Sequence, residues 1–481
     1  MTTLRNSVTK QTPTDGRNGA ADAALAGSVL IIVLWVAFGL VSLALYFAHS
    51  MSFELRAADN RLAVAQAQLA IEGAARYVSN ILATTETPGI MPDPLSYNAE
   101  AVQVGEGQFW LIGRPAGDWQ TDYTRPLFGL IDEGSKLNLN TATVDMLQML
   151  PGMTPDLAAS IVAWRSTSTS QTGGADDSTY ARLDPPYRCK HAPFETVDEL
   201  RLIYGMTTEL LYGEDINLNG VLDPNENDGD TLAPPDNRDG RLDPGIFEYV
   251  TVYTREPNTG RTNVNNTQQL ASLLEARLGT QRANEILARL GSGPVGARPP
   301  GQGTQQGGAS QPAPGAQPGT IQVATELEFF TMSGMTIEEF EQIANDITAT
   351  DAQYIEGRVN VNTAPEAVLA CIPGIGPQNA SALVAYRQSH PERLASVAWV
   401  VEVLGEQNAL LAAPYITTRS YQVTADIAAV GRFGRGYQRV RFLFDTSDGL
   451  PKILYRRDLT HLGWALGKET WNNLQLAKQT R

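Results

Sequence analysis

The segment DINLNGVLDPNE, Asp215 to Glu226, spaces oxygen-bearing side chains as a hard cation needs them. Calcium takes about six to eight oxygen ligands, and a twelve-residue loop meets that demand from alternate positions with a glycine at the sharp turn. Asp215, Asn217 and Asn219 stand at the first, third and fifth positions, and Gly220 makes the turn. The Val221 carbonyl, Asp223 and a bidentate Glu226 complete the candidate calcium set. A partial echo, DNRDGRLDPG from Asp236 to Gly245, places Asn237, Asp239 and Asp243 as weaker candidates, but Ile246 stands where the closing glutamate belongs. The ordinary alternative for both stretches is an acidic Asx-turn loop. No catalytic constellation accompanies them: no nucleophile elbow, phosphate loop or zincin helix occurs, and loose carboxylate pairs are usually solvated surface. Cys189 and Cys371 are the only cysteines, and His49, His191, His390 and His461 are scattered, which argues against a dense disulfide framework and against a Cys-based zinc site.

The elements that must position the loop emerge when the chain is slid against itself by 222 positions. LNLNTATVDMLQMLPGMTPDLAASIVAWR (Leu137 to Arg165) then matches VNVNTAPEAVLACIPGIGPQNASALVAYR (Val359 to Arg387), including both Asn residues, the Pro-Gly pair and the final Arg. Each copy reads as an apolar helix, a tight Pro-Gly hairpin and a second helix opening at Pro155 or Pro377, the helix-hairpin-helix pattern. TNVNNTQQLASLL from Thr262 reuses the Asn-Val-Asn start without the hairpin and reads as a degenerate relative. Hairpins of this kind grip phosphates in nucleic-acid proteins, with basic side chains nearby. Here Glu366 is the only charged residue between Val359 and Tyr386, Thr154 replaces the second glycine of the first hairpin, and 36 Lys+Arg against 52 Asp+Glu leave a net charge of -16. No nucleic-acid-binding residues are assigned, and a structural or protein-contact role is favoured.

Ala23 to Ala48 contains no charged residue, long enough to cross a hydrocarbon core of about 30 Å. It exceeds a secretory h-region and no A-x-A site follows, so it reads as a permanent anchor. Arg5, Lys10 and Arg17 outnumber Asp15 and Asp22 before it, which places the N-terminus in the cytoplasm and the bulk outside the inner membrane. Helix-forming residues continue past the anchor. GQFWLIG (Gly107 to Gly113), PLFGLIDE (Pro126 to Glu133) and the segments from Ser420 to Asp445 and from Pro451 read as strands. The fold class expected is α+β: an N-terminal transmembrane helix continuing into a domain with an antiparallel sheet, interrupted by a large inserted α-helical domain.

The anchor helix, the sheet and the paired NLNTA and NVNTA hairpin units together resemble the K-type minor pseudopilin of the type II secretion system, the likeness running from Gly27 to about Leu459. The resemblance implies a pilin-like α/β domain and a non-enzymatic subunit that initiates or caps the periplasmic pseudopilus for export of folded proteins. It implies I-type and J-type minor pseudopilins, other pseudopilins and inner-membrane secretion components as partners, with calcium bound. It also implies prepilin cleavage between Gly27 and Ser28 with methylation of the new N-terminus, Ala26 standing where that family carries a basic residue. Ile32 occupies the fifth mature position, where most pilins carry a glutamate that attracts the preceding subunit's amine, so the resemblance implies a tip position. The alternatives are a membrane-anchored DNA receptor of the competence type and, third, an anchored periplasmic hydrolase.

The expected divisions are a leader at 1–27, a transmembrane helix at 28–48, the first part of the pilin-like domain at 49–136, and an inserted domain at 137–245 with the first hairpin unit and acidic loop. A strand and degenerate repeat follow at 246–290, then a flexible Gly/Pro/Gln-rich loop at 291–322, the second hairpin unit at 323–415, closing strands at 416–460 and a tail at 461–481.

Overall fold

The computed structural model describes residues 18–114, 123–167, 173–229, 231–291 and 322–479. Nearly all of the Gly/Pro/Gln-rich stretch, and the first seventeen residues of the expected leader, lie outside the described residues. Two units divide the chain, Met1–Ala63 and Val64–Arg481.

The first unit is helical from Asn18, within a helix that ends at Ala83. No proline interrupts it, and every large apolar side chain from Val29 to Phe53 is more than half exposed, Trp35 by 76%. Such a surface is stable in hydrocarbon and costly in water. Gly27 and Ser28 lie within the helical backbone.

The second unit begins with the remaining turns of that helix, whose residues Ala67, Ala70, Ile71, Ala74, Val78 and Leu82 recur at helical spacing and form one buried stripe. Their small size lets the helix lie close on a sheet. The strands are β1 (Val102–Val104), β2 (Gly107–Ile112), β3 (Ile131–Asp132), β4 (Gln422–Val430), β5 (Gln438–Asp445) and β6 (Lys452–Asp458). All pairs are antiparallel, in the order β1-β2-β4-β5-β6, with β3 against the start of β4. Strand alternation sends Phe109 and Leu111 toward the helix and Trp110 and Ile112 to the opposite face. That second face is covered by Ala465, Leu466, Trp464 and Leu474. These belong to a C-terminal segment that folds back: in place of a tail, a helix spans Gly467–Gln479. PLFGLIDE contributes less strand than expected, only β3 and a bridge from Phe128 to Ile112, and between them the Leu130 N–H donates to the Tyr97 hydroxyl at 2.9 Å rather than to a neighbouring strand.

Everything from Glu133 to Tyr421 is inserted between β3 and β4, and among the described residues of this helical part three Asn-x-Asn pairs share one arrangement, the degenerate relative at Asn263 included. In each copy the first Asn ends a two-residue parallel ladder: Leu137–Asn138 with Val250–Thr251, Thr262–Asn263 with Ile347–Thr348, and Val359–Asn360 with Ile416–Thr417. Its side-chain oxygen accepts the backbone N–H of the second Asn, at 2.8 Å for Asn140, 2.9 Å for Asn265 and 3.0 Å for Asn362. The second Asn then reaches across to a later segment. Asn140 Nδ2 donates to the Phe194 carbonyl at 3.0 Å while its Oδ1 accepts the Phe194 N–H at 2.8 Å. Asn265 does the same with Val323, at 3.0 and 2.7 Å. Asn362 donates to the Leu394 carbonyl at 2.9 Å and accepts from Trp399 Nε1 at 3.2 Å. A carboxamide suits this place because it offers donor and acceptor from one planar group. We expect Asn140→Ala to destabilise the chain by about 1–3 kcal/mol, since two backbone groups of Phe194 lose their partner, and a thermal melt of the detergent-extracted protein measures it.

Candidate functional site: an acidic loop braced against the sheet

The short helix Thr208–Tyr212 delivers the chain into the loop at Asp215, and a turn at Pro224–Glu226 ends it. Asp215 spreads its two oxygens over the N–H groups of Asn219 and Gly220, both at 2.9 Å. Asn217 Oδ1 takes the Asn219 N–H at 3.0 Å, and Asn219 Oδ1 takes that of Val221 at 2.6 Å. Asp223 Oδ2 accepts from Asn217 Nδ2 at 2.7 Å and Asn219 Nδ2 at 3.2 Å, while Glu226 Oε2 accepts the Asp223 N–H at 2.9 Å. Gly220 carries φ +70°, the left-handed turn that its place in the pattern demands. Hydrogen bonds thus tie the five side chains named from the sequence to one another or to the loop backbone.

Its charge is not balanced from within. Asp215, Asn219 and Glu226 are buried, and Glu226 Oε1 has no hydrogen-bond partner. Burial, reinforced by Asp215 and Asp223 nearby, pushes the Glu226 carboxyl up to about 8. Burial also raises Asp215, against the opposing pull of Arg114 and two backbone N–H groups. An orphaned, buried carboxylate oxygen in an all-oxygen donor set fits a hard divalent cation such as calcium. Asp215, Asp223, Glu226, the two asparagines and the Val221 carbonyl are the residues that would hold it. Among the described residues, the acids of this loop do not draw within 4.8 Å of one another as a group of three, so holding an ion would require the loop to tighten.

Two arginines that the sequence reading missed hold the loop from outside. Arg439, on β5 and wholly buried, donates from Nη1 to the Asn217 carbonyl at 2.6 Å and from Nη2 to the Leu218 carbonyl at 2.5 Å. Its Nε and Nη2 also grip Asp426 of β4, both at 2.8 Å, and Arg441 meets the same carboxylate at 2.7 Å. Arg114 donates to the Leu218 carbonyl at 2.6 Å and pairs with Glu248 at 3.0 Å. Asp426 inside the otherwise apolar strand VTADIAAV was the available signal, since an acid there needs a buried cation.

The echo segment is organised by another residue absent from the sequence reading, Glu214. Its Oε1 accepts the Asn237 N–H at 3.3 Å and its Oε2 that of Asp243 at 3.0 Å, and burial raises its carboxyl. Asn237 Nδ2 donates to Asp243 Oδ2 at 3.0 Å, and Asn237 Oδ1 accepts the Asp239 N–H at 2.8 Å. Ile246 is buried in the helical core, so the carboxylate missing from the pattern's end is supplied from before the first loop.

The first glycine of each hairpin is covered, while the second glycine of the intact copy, Gly376, faces open space. A Cβ on Gly374, at φ +82°, would lie 2.2 Å from the Asn408 carbonyl of the helix Glu406–Ala412, and one on Gly152 would lie 2.8 Å from Leu210. Each Pro-Gly turn is therefore seated under a following helix of its own chain. Arg165 donates to the Leu139 and Ala142 carbonyls, and Arg387 to that of Val361 at 2.9 Å, so the Arg that closes each copy binds its own repeat.

Residues 132–212 match the family model of the type II secretion system (T2SS), protein K. Over this stretch the chain is similar to a protein K domain. The stretch comprises the start of the helical insertion, from β3 through the first Asn clamp and hairpin to the helix before Asp215, so the acidic loop lies just beyond it. Residues 355–408, around the second hairpin, match the helix-hairpin-helix motif. No curated protein matches the chain. A solved structure similar to it is the GspK-GspI-GspJ complex of the enterotoxigenic Escherichia coli type 2 secretion system, at 11% identity over 86% of this chain and 97% of that chain, with a TM-score of 0.37.

Proposed function

We propose that the chain is a minor pseudopilin of the K type that starts or caps the pseudopilus, its body in the periplasm and its uncharged helix in the inner membrane. The observation that carries this reading is the stretch similar to a protein K domain, inserted between strands of a sheet that packs on the continuation of an exposed apolar helix. The similar solved complex pairs its K subunit with GspI and GspJ, which supports I-type and J-type subunits as partners. Ile32 supports the tip position, since a stem without a buried acid needs no cationic mate ahead of it. Calcium in the Asp215 loop is part of the proposal, and so is a role exerted through surfaces rather than reactive atoms. N-terminal mass analysis of the membrane-extracted chain tests the processing step: the expected product begins at Ser28 and is methylated, and retention of Met1 or another cut removes the pilin-type account.

The second reading, a DNA receptor, draws on the helix-hairpin-helix match. Arginines turned onto their own repeats, and a second hairpin whose only charge between Val359 and Tyr386 is Glu366, speak against it, because phosphate affinity depends on accessible cations. A duplex-binding titration against salt is expected to show no steep, salt-sensitive association.

A further inference from the structure

Three side chains outside the acidic loops converge inside the stretch similar to a protein K domain. Asp177, Cys189 and His191 each offer a ligand atom, and these atoms all lie within 4.8 Å of one another. Asp177 Oδ1 is 3.3 Å from His191 Nε2 and accepts the Cys189 backbone N–H at 2.9 Å. The thiol faces the buried side, where Cys189 belongs to the core containing Trp164 and Tyr180, while Asp177 and His191 are partly open to solvent.

The imidazole is oriented as a ligand would be. His191 Nδ1 lies 2.9 Å from the Ser166 carbonyl, and a carbonyl only accepts, so Nδ1 carries the proton. Nε2 is then directed at Asp177. Two acceptors at that distance repel unless a proton or a metal ion lies between them. A backbone carbonyl on the second ring nitrogen is the usual support of a metal-bound histidine. The backbone is committed too: His191 has φ +51°, and its N–H donates to the Trp164 carbonyl at 2.9 Å, which docks the residue on the end of the helix Pro155–Arg165.

We propose that Asp177, Cys189 and His191 bind one divalent transition metal of the zinc class, through a thiolate, an imidazole nitrogen and a carboxylate oxygen, with water in the fourth tetrahedral position. Calcium and magnesium prefer oxygen alone, whereas zinc accepts this mixed set. Bond lengths of about 2.0–2.3 Å put tetrahedral ligands roughly 3.3–3.8 Å apart; Asp177 and His191 already stand at 3.3 Å, and the thiol, within 4.8 Å of both, has at most about 1 Å to close. Binding releases the Cys189 proton to solvent, and the ion ties the one-turn helix Asp177–Tyr180 to residues 189–191, just ahead of the Phe194 backbone that Asn140 clamps. Two cysteines exclude a zinc site built from cysteine alone, but a mixed trio needs only one.

Cobalt(II) titration of the detergent-extracted full chain in excess calcium tests the site, because the acidic loops contain no sulfur and only a thiolate gives a near-ultraviolet sulfur-to-cobalt charge-transfer band. The expected result is a saturable band at one cobalt per chain, displaced by zinc, absent in Cys189→Ser and retained in Cys371→Ser. His191→Gln and Asp177→Asn, at partly exposed positions, are expected to weaken cobalt binding at least tenfold while the chain stays folded. No band in the native chain, or a band that survives Cys189→Ser, overturns the proposal and leaves the trio as a histidine–aspartate ion pair beside a buried thiol.

Discussion

In calcium-free buffer the extracted chain is expected to lose stability as pH rises from about 4.5 to about 8, and added calcium is expected to restore it. Glu226 drives this: its folded carboxyl titrates near 8 against an ordinary value of 4.5, because it is buried beside Asp215 and Asp223 with one oxygen unpartnered. A carboxyl raised on folding contributes fully below its unfolded value, and that contribution disappears as pH climbs through the folded one. Each tenfold change in proton affinity is worth about 1.4 kcal/mol, so the loss is on the order of 4 kcal/mol near pH 8. Asp215, raised by burial as well, adds to it in the same sense. A divalent ion reverses the balance by pairing with the ionised oxygens, so the calcium-dependent gain in melting temperature should be largest at the pH where the ion-free chain is weakest. Glu226→Gln should flatten the ion-free pH profile and abolish most of the calcium gain. Melts across pH with calcium and with chelator measure both, and a flat profile in the native chain contradicts the assignment.

Asp426→Asn is expected to cost about 3–5 kcal/mol, the range for breaking a buried ion pair by removing one partner. Burial alone would raise the Asp426 carboxyl, but Arg439 and Arg441 outweigh it and hold it well below the usual carboxylate range. The native chain therefore keeps this contribution above the unfolded carboxylate value and loses it only as pH falls through a strongly depressed one. Asparagine fills the space without the charge and leaves Arg439 buried and unbalanced. Because Arg439 also donates to the Asn217 and Leu218 carbonyls, the variant should bind calcium more weakly than the native chain. Asp426→Asn combined with Arg439→Met should recover part of the stability, since the pair leaves together, but not the calcium affinity, since the brace is gone. Denaturant melts and calcium titrations on the native chain and the two variants separate these effects.

What could be read from the chain alone was whatever local pattern carries. The sheet strands, the long helix, the repeat offset and the calcium-type spacing are periodicities or short motifs, and the structure places them in an α+β fold with a helical insertion. The third Asn-x-Asn copy was visible only as a faint trace, because its helices join at Gly279 rather than at a Pro-Gly hairpin and its clamp partner, Val323, lies 58 residues on. The brace was out of reach for the same reason in stronger form. Arg439 and Leu218 are 221 positions apart, and no local pattern assigns a strand arginine to a distant loop carbonyl. Glu214 was passed over because the motif begins one residue later. The covering of each hairpin's first glycine depends on helices that follow at unequal distances in the two copies, so the offset of 222 does not reveal it.

The central claim, that this chain is an assembly subunit working through protein surfaces, is tested most directly by co-expressing it with the I-type and J-type minor pseudopilins of its own secretion system and measuring the mass of the purified assembly. The account predicts a ternary complex with one copy of each subunit, stable in salt. A chain that stays apart from both siblings, yet holds duplex DNA with an affinity that falls steeply as salt rises, would contradict it.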